Sequence, residues 1–106
     1  MVNIEKLKEE IVERLLPLKP EKIFLFGSYA NGTATDDSDI DLFLIRNDET
    51  SPTDYDLTAR KYIRSLIFKY RIGFDILSAS QEFLDNCGDC FYKTEVIKNG
   101  KLLYAK

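Results

Sequence analysis

The chain of 106 residues has no histidine and no tryptophan, one methionine, three prolines and two cysteines. Without histidine, imidazole acid–base catalysis and histidine ligation of a metal are both excluded. Metal ligation then falls to carboxylates, whose oxygens suit hard ions such as magnesium or manganese. No apolar run approaches the ~20 residues of a membrane span. The N-terminus alternates Glu and Lys with apolar residues and lacks the apolar stretch of a signal peptide. The expected location is therefore the cytoplasm, away from any membrane. Excess basic charge is missing too: the net charge of −3 argues against broad nucleic-acid binding. Cysteine supplies only one C-x-x-C, Cys87 to Cys90. With no second pair and no histidine it is not a complete zinc site. It lies between helical segments, which does not suit a redox role, so two reduced, partly buried thiols are expected in the cytosol and a disulfide in oxidising preparations.

What is present fits one domain, 1–106, with 44% apolar and 31% charged residues. The chain is organised around Ile23–Ile45, where two apolar runs of strand length flank a glycine-containing turn. Lys22–Phe26 reads as the first strand and Asp39–Arg46 as the second. Side chains alternate along a strand, so Asp39 and Asp41 share a face with Phe43 and Ile45, while Ile40, Leu42 and Leu44 line the other. A strand apolar on both faces is a central one. Two like charges at its mouth repel, and a divalent cation is the simplest offset. The plainer alternative is a pair of solvated turn acids, which suits the neighbouring Asp36 and Asp37. Gly27 and Ser28 directly follow the first strand. A glycine that admits close approach, backbone N–H groups at the start of a helical turn and a Ser hydroxyl together make an anion cradle.

Helical spacing of Ile4, Leu7, Ile11, Leu15 and Leu16 predicts a helix over 3–16 with Asn3 as its cap, ended by Pro17 and Pro20. Ser28–Asn31 forms one helical turn, and Asn47–Thr53 a polar loop with Thr53 and Asp56 resembling a capping box. A second long helix spans Asp54–Tyr70, with an apolar stripe of Tyr55, Ala59, Tyr62, Ile63, Leu66, Ile67 and Tyr70, and with Leu57 outside it. From Arg60 to Arg71 there are five basic residues and no acid. They are a solvated helix flank or a counter-charge for a triphosphate or an acidic partner. Gly73–Ser78 reads as a third strand. Asp75 within it is costly unless paired, or else faces water from an edge strand. Ser80 caps a short helix, Phe91–Lys98 continues as helix, Asn99-Gly100 is a turn, and Lys101–Tyr104 a last strand.

The run Gly27-Ser28-Tyr29-Ala30-Asn31-Gly32, followed by Ser38-Asp39-Ile40-Asp41-Leu42, resembles the signature of the DNA polymerase beta-type nucleotidyltransferases, closest to the small minimal nucleotidyltransferases. One departure is clear: Asn31 stands where that family usually has Arg. The resemblance implies an α/β fold: a small mixed sheet with helices packed mainly on one face. It implies transfer of a nucleoside monophosphate, with ATP the favoured donor among NTPs, to a hydroxyl of a partner. Asp39 and Asp41, with Asp75 as third carboxylate, would hold one or two magnesium ions, with manganese as the alternative ion, and would be the catalytic set. Gly27 and Ser28 would bind the nucleotide phosphates. It also implies a HEPN-type protein as partner in a toxin–antitoxin pair. The competing expectation, kept open by Asn31, is a nucleotide-binding module that neutralises its partner by contact alone.

Overall fold

The computed structural model describes residues 4–35, 37–46, 52–88, 90 and 92–106. Helix α1 (Ile4–Leu15) turns through a short 3-10 segment, Leu16–Leu18, into strand β1 (Lys22–Phe26). The one-turn helix α2 (Ser28–Asn31) precedes β2 (Ile40–Arg46). Helix α3 (Pro52–Tyr70) leads to β3 (Phe74–Ser80), and α4 (Gln81–Asn86) follows. A π-type helix, α5 (Tyr92–Lys98), and β4 (Lys101–Ala105) complete the order. The strands form one mixed sheet in the order β3-β2-β1-β4. β1 is antiparallel to both β2 and β4, whereas β2 and β3 run parallel, joined through α3.

The alternation expected of β2 sets the layers. Ile40, Leu42 and Leu44 join Ile23, Leu25 and Ile76 beneath the two long helices, which contribute Leu7, Ile11 and Leu15 from α1 and Tyr55, Ala59, Ile63 and Leu66 from α3. Phe24, Phe26, Phe43 and Ile45 face the other way into a smaller cluster, closed by Ala79, Leu84 of α4 and Val96 of α5. The long helices thus lie on one face, and two short ones cover part of the second. Each fully buried Leu or Ile in the larger cluster stabilises the fold by roughly 1.5–3 kcal/mol through removal from water.

Several boundaries differ from the expected ones for local reasons. α3 begins at Pro52 rather than Asp54, because a proline with fixed φ and no N–H is well suited to the first helical position. Thr53 is therefore inside the helix and not its cap. Tyr62 sits at the margin of the α3 stripe and is exposed, as is Leu57. β3 starts at Phe74 and runs on to Ser80, whose hydroxyl accepts from the Phe83 N–H at 3.0 Å and caps α4. Cys87 and Cys90 form a disulfide, correcting the expectation of two free thiols. Their Cα atoms lie 5.8 Å apart, within the ordinary span of such a bond. The expected cap Asn3, the turn acid Asp36 and most of the polar loop at 47–53 lie outside the described residues, as does Phe91.

α1 and α3 are tied at one end by a polar brace. Glu10 accepts from Lys69 at 2.6 Å and from the Tyr70 hydroxyl. Those two bonds, Lys69 first, hold the Glu10 carboxyl below its ordinary value of 4.5. A lowered carboxylate contributes stability that is present above its unfolded pKa and is lost as pH falls through the folded one. Thermal melts should therefore show Glu10→Gln reducing the midpoint at neutral pH, with the difference from the parent closing in strongly acidic buffer. An equal difference at both would contradict the brace.

Candidate active site

The sheet pairing brings the acids together. Asp41 of β2 is the direct cross-strand partner of Asp75 on β3, and its other neighbour is Phe26, the last residue of β1. Paired strands lie about 4.8 Å apart, so two carboxylates of one sign face the same side at nearly the closest approach a sheet allows. Asp39 precedes β2 by one residue, on the same face. The three stand where β1 ends and where β2 and β3 begin, beyond the cover that α4 and α5 give the Phe24–Phe43 cluster.

Two glycines make room for these side chains. Gly27 has φ +74°, and a Cβ there would fall on the Asp41 carboxylate. Only glycine fits such a position readily. The space it leaves is therefore taken by Asp41, in addition to the turn it makes into α2. Gly73, just before β3, does the same for Asp39: a Cβ would lie 2.5 Å from Oδ1 and 3.0 Å from Cγ. Its carbonyl accepts from the Ile40 N–H at 2.8 Å, fixing the entry of β2 beside it. Sequence reasoning gave Gly73 no site role. Its only signal is a glycine directly before a strand, and its meaning depends on a contact more than thirty residues away.

Ser28 opens α2, and the amides of Ala30 and Asn31 return to the Gly27 carbonyl at 3.0 and 3.2 Å. Asn31 is occupied within its own loop. Its Oδ1 accepts from the Thr33 hydroxyl at 2.6 Å and from the Thr33 amide at 3.2 Å. Asp75 is exposed on an edge strand, the second of the two arrangements its sequence context allows. Its pairing with Asp41 rests on register, not on burial.

Burial, and then the Asp75 carboxylate beside it, push the Asp41 carboxyl up to about 6, with Asp39 adding in the same direction. Three carboxylates without nitrogen or sulfur neighbours form a hard-oxygen donor set whose mutual repulsion a divalent cation would relieve. The donor chemistry fits such an ion. Among the described residues no three acid or thiol side chains already surround a single point at coordination distance.

Residues 4–98 match the family described as the nucleotidyltransferase domain. The chain belongs to that family. MJ0604 of Methanocaldococcus jannaschii, designated a protein adenylyltransferase, is 29% identical over 106 residues, covering 97% of this chain and 100% of that protein. A toxin–antitoxin crystal structure with AMP-PNP superposes with a TM-score of 0.63 at 23% identity, covering 93% of this chain and 73% of the other. A complex of tri-AMPylated Shewanella oneidensis HEPN toxin with MNT antitoxin gives a TM-score of 0.61 at 19% identity, covering 96% and 72%. At those identities the two structures establish the shared nucleotidyltransferase fold.

The raised Asp41 pKa has a consequence for stability. Asp41 holds its proton more tightly folded than unfolded. Its contribution is complete below the ordinary value of 3.8 and is lost as pH rises through about 6. Asp41→Asn removes a repelled charge, so in metal-free buffer its melting midpoint at pH 7 should exceed that of the parent by a few degrees, the gap narrowing towards pH 4. A lower midpoint than the parent's at pH 7 would show that the Asp41 charge is already balanced within the fold.

Proposed function

We propose that this nucleotidyltransferase is a protein adenylyltransferase that moves AMP from ATP to a hydroxyl of a partner, the partner being a HEPN-type protein. The observation that carries the proposal is the register of Asp41 against Asp75 beside the Gly27-Ser28 turn. It is supported by MJ0604, alike over its whole length and designated a protein adenylyltransferase. It is also supported by the fold shared with an MNT antitoxin bound to an AMPylated HEPN toxin. Among the described residues no helix is long and apolar enough to cross a membrane, and a cytoplasmic site of action is consistent with that.

Asp39, Asp41 and Asp75 would hold magnesium, or manganese in its place. When bound, the ion supplies positive charge against the triphosphate and the departing pyrophosphate. The protein's own residues do the rest. Ser28, at the head of α2, offers its hydroxyl to the β- and γ-phosphate end, and Gly27 sets the turn that presents it. Asp75, exposed and directly opposite Asp41, accepts the proton of the acceptor hydroxyl. The hydroxyl oxygen bonds the α-phosphorus, the bond from that phosphorus to the bridging oxygen breaks, and pyrophosphate leaves. Asn31 in place of an arginine provides no charge for the phosphates. Its bonds to Thr33 instead hold the turn that carries Ser28.

Incubation of the protein and its co-purified partner with magnesium and α-labelled ATP should place label on the partner. Asp41→Asn and Asp75→Asn should each reduce labelling by about 10²-fold or more, the scale of losing a group that acts on transition-state charge. A stable complex that never takes up label would instead identify a module that neutralises by contact.

A further inference from the structure

The outer face of α3 is not an ordinary solvated helix face. α1 shows what one looks like: acids and bases alternate along it, with Lys8 paired to Glu5 at 3.2 Å. On α3 the acids stop at Asp56. Beyond it Leu57, Arg60, Lys61, Arg64, Phe68 and Arg71 follow the three-and-four spacing of one stripe, opposite the buried Ala59, Ile63 and Leu66. All are exposed. Phe68 is 74% and Leu57 54% exposed, the two most exposed large apolar side chains among the described residues. None of the stripe's cations makes an ion pair among the described residues. The helix dipole accounts for basic residues in the last turn, but not for Arg60, Lys61 and Arg64 in the middle.

The stripe also has a direction. It covers about 21 Å at the rise of a helix. Arg71, with φ +54°, ends it two residues before Gly73, against which the Asp39 carboxylate rests.

We infer that this stripe is the docking surface for an acidic amphipathic helix of the partner protein, with its glutamates or aspartates over Arg60, Lys61 and Arg64 and its apolar residues against Leu57 and Phe68. Charge complementarity selects the occupant. The cations are spaced along a helix axis, and apolar anchors stand at both ends, which suits a helix lying alongside. An acidic chain overall, with net charge −3, carries this basic strip against its own average. The choice of partner rests on the proposed function; the presence of the docking surface does not.

The test uses the full chain, labelled for amide NMR, and a synthetic acidic amphipathic helix of about 18 residues, long enough to span the stripe. Its glutamine and lysine counterparts and a single-stranded oligodeoxynucleotide serve as comparison probes. The acidic helix should shift amides from Leu57 to Arg71. Arg64→Glu and Phe68→Ala, both at exposed positions, should each weaken binding about tenfold or more with folded spectra, and Arg64→Lys should retain most of it. No shifts up to about 1 mM, the edge of measurable affinity, would overturn the inference. So would shifts elsewhere, or an equal response to the glutamine or lysine peptide. Tighter binding of the oligonucleotide to the same stripe would overturn it in favour of nucleic acid. ATP-induced shifts near Gly27 and Asp41, recorded on the same variants, report on the proposed function separately.

Discussion

The parallel pairing of β2 with β3 forces two negative charges to face each other at the mouth of the sheet. Asp41 and Asp75 are cross-strand partners, so no change in either side chain's conformation separates their backbones. The fold accepts this because each strand is anchored elsewhere. Leu42, Leu44 and Ile76 are locked beneath α1 and α3, and Phe43, Ile45 and Ala79 on the opposite face. Packing on both faces fixes the register, and a slip of one residue would turn every apolar side chain to the wrong side. The hydrophobic cores thus impose the electrostatic strain, which under the proposed function a divalent cation would relieve.

Much of this was legible in the sequence. The limits of β1 and the one-turn α2 follow from short apolar runs and turn residues, and the start of β2 lies one residue from its expected place. The two faces of β2 follow from strict alternation, because a central strand of seven residues leaves no other arrangement for its isoleucines, leucines and Phe43. Local pattern was enough wherever one strand's own side chains decided the outcome. It failed where a distant segment decided. Asp75 is exposed because β3 is an edge strand, and strand order is a property of the whole sheet. Gly73 matters because Asp39, more than thirty residues away, lies over it.

The second face divides the labour of the fold. α4 and α5 close the phenylalanine cluster, whereas the ends of β2 and β3 nearest the aspartates are left open, with Asp39 and Asp75 in water and Asp41 half-buried. The opening lies on that side and the basic stripe of α3 on the other, Arg71 at its end standing two residues before Gly73. Nucleotide chemistry and partner recognition would then occupy adjoining parts of one small molecule, using charges of opposite sign that the chain keeps apart.

The most direct measure of the account is the titration of the Asp41 side-chain carboxyl, followed by carbon NMR in metal-free buffer. It should titrate near 6, fall towards the ordinary carboxylate range in Asp75→Asn, and fall further in the parent when magnesium is added. An Asp41 that titrates at the ordinary value of 3.8 and responds neither to Asp75→Asn nor to magnesium would contradict it.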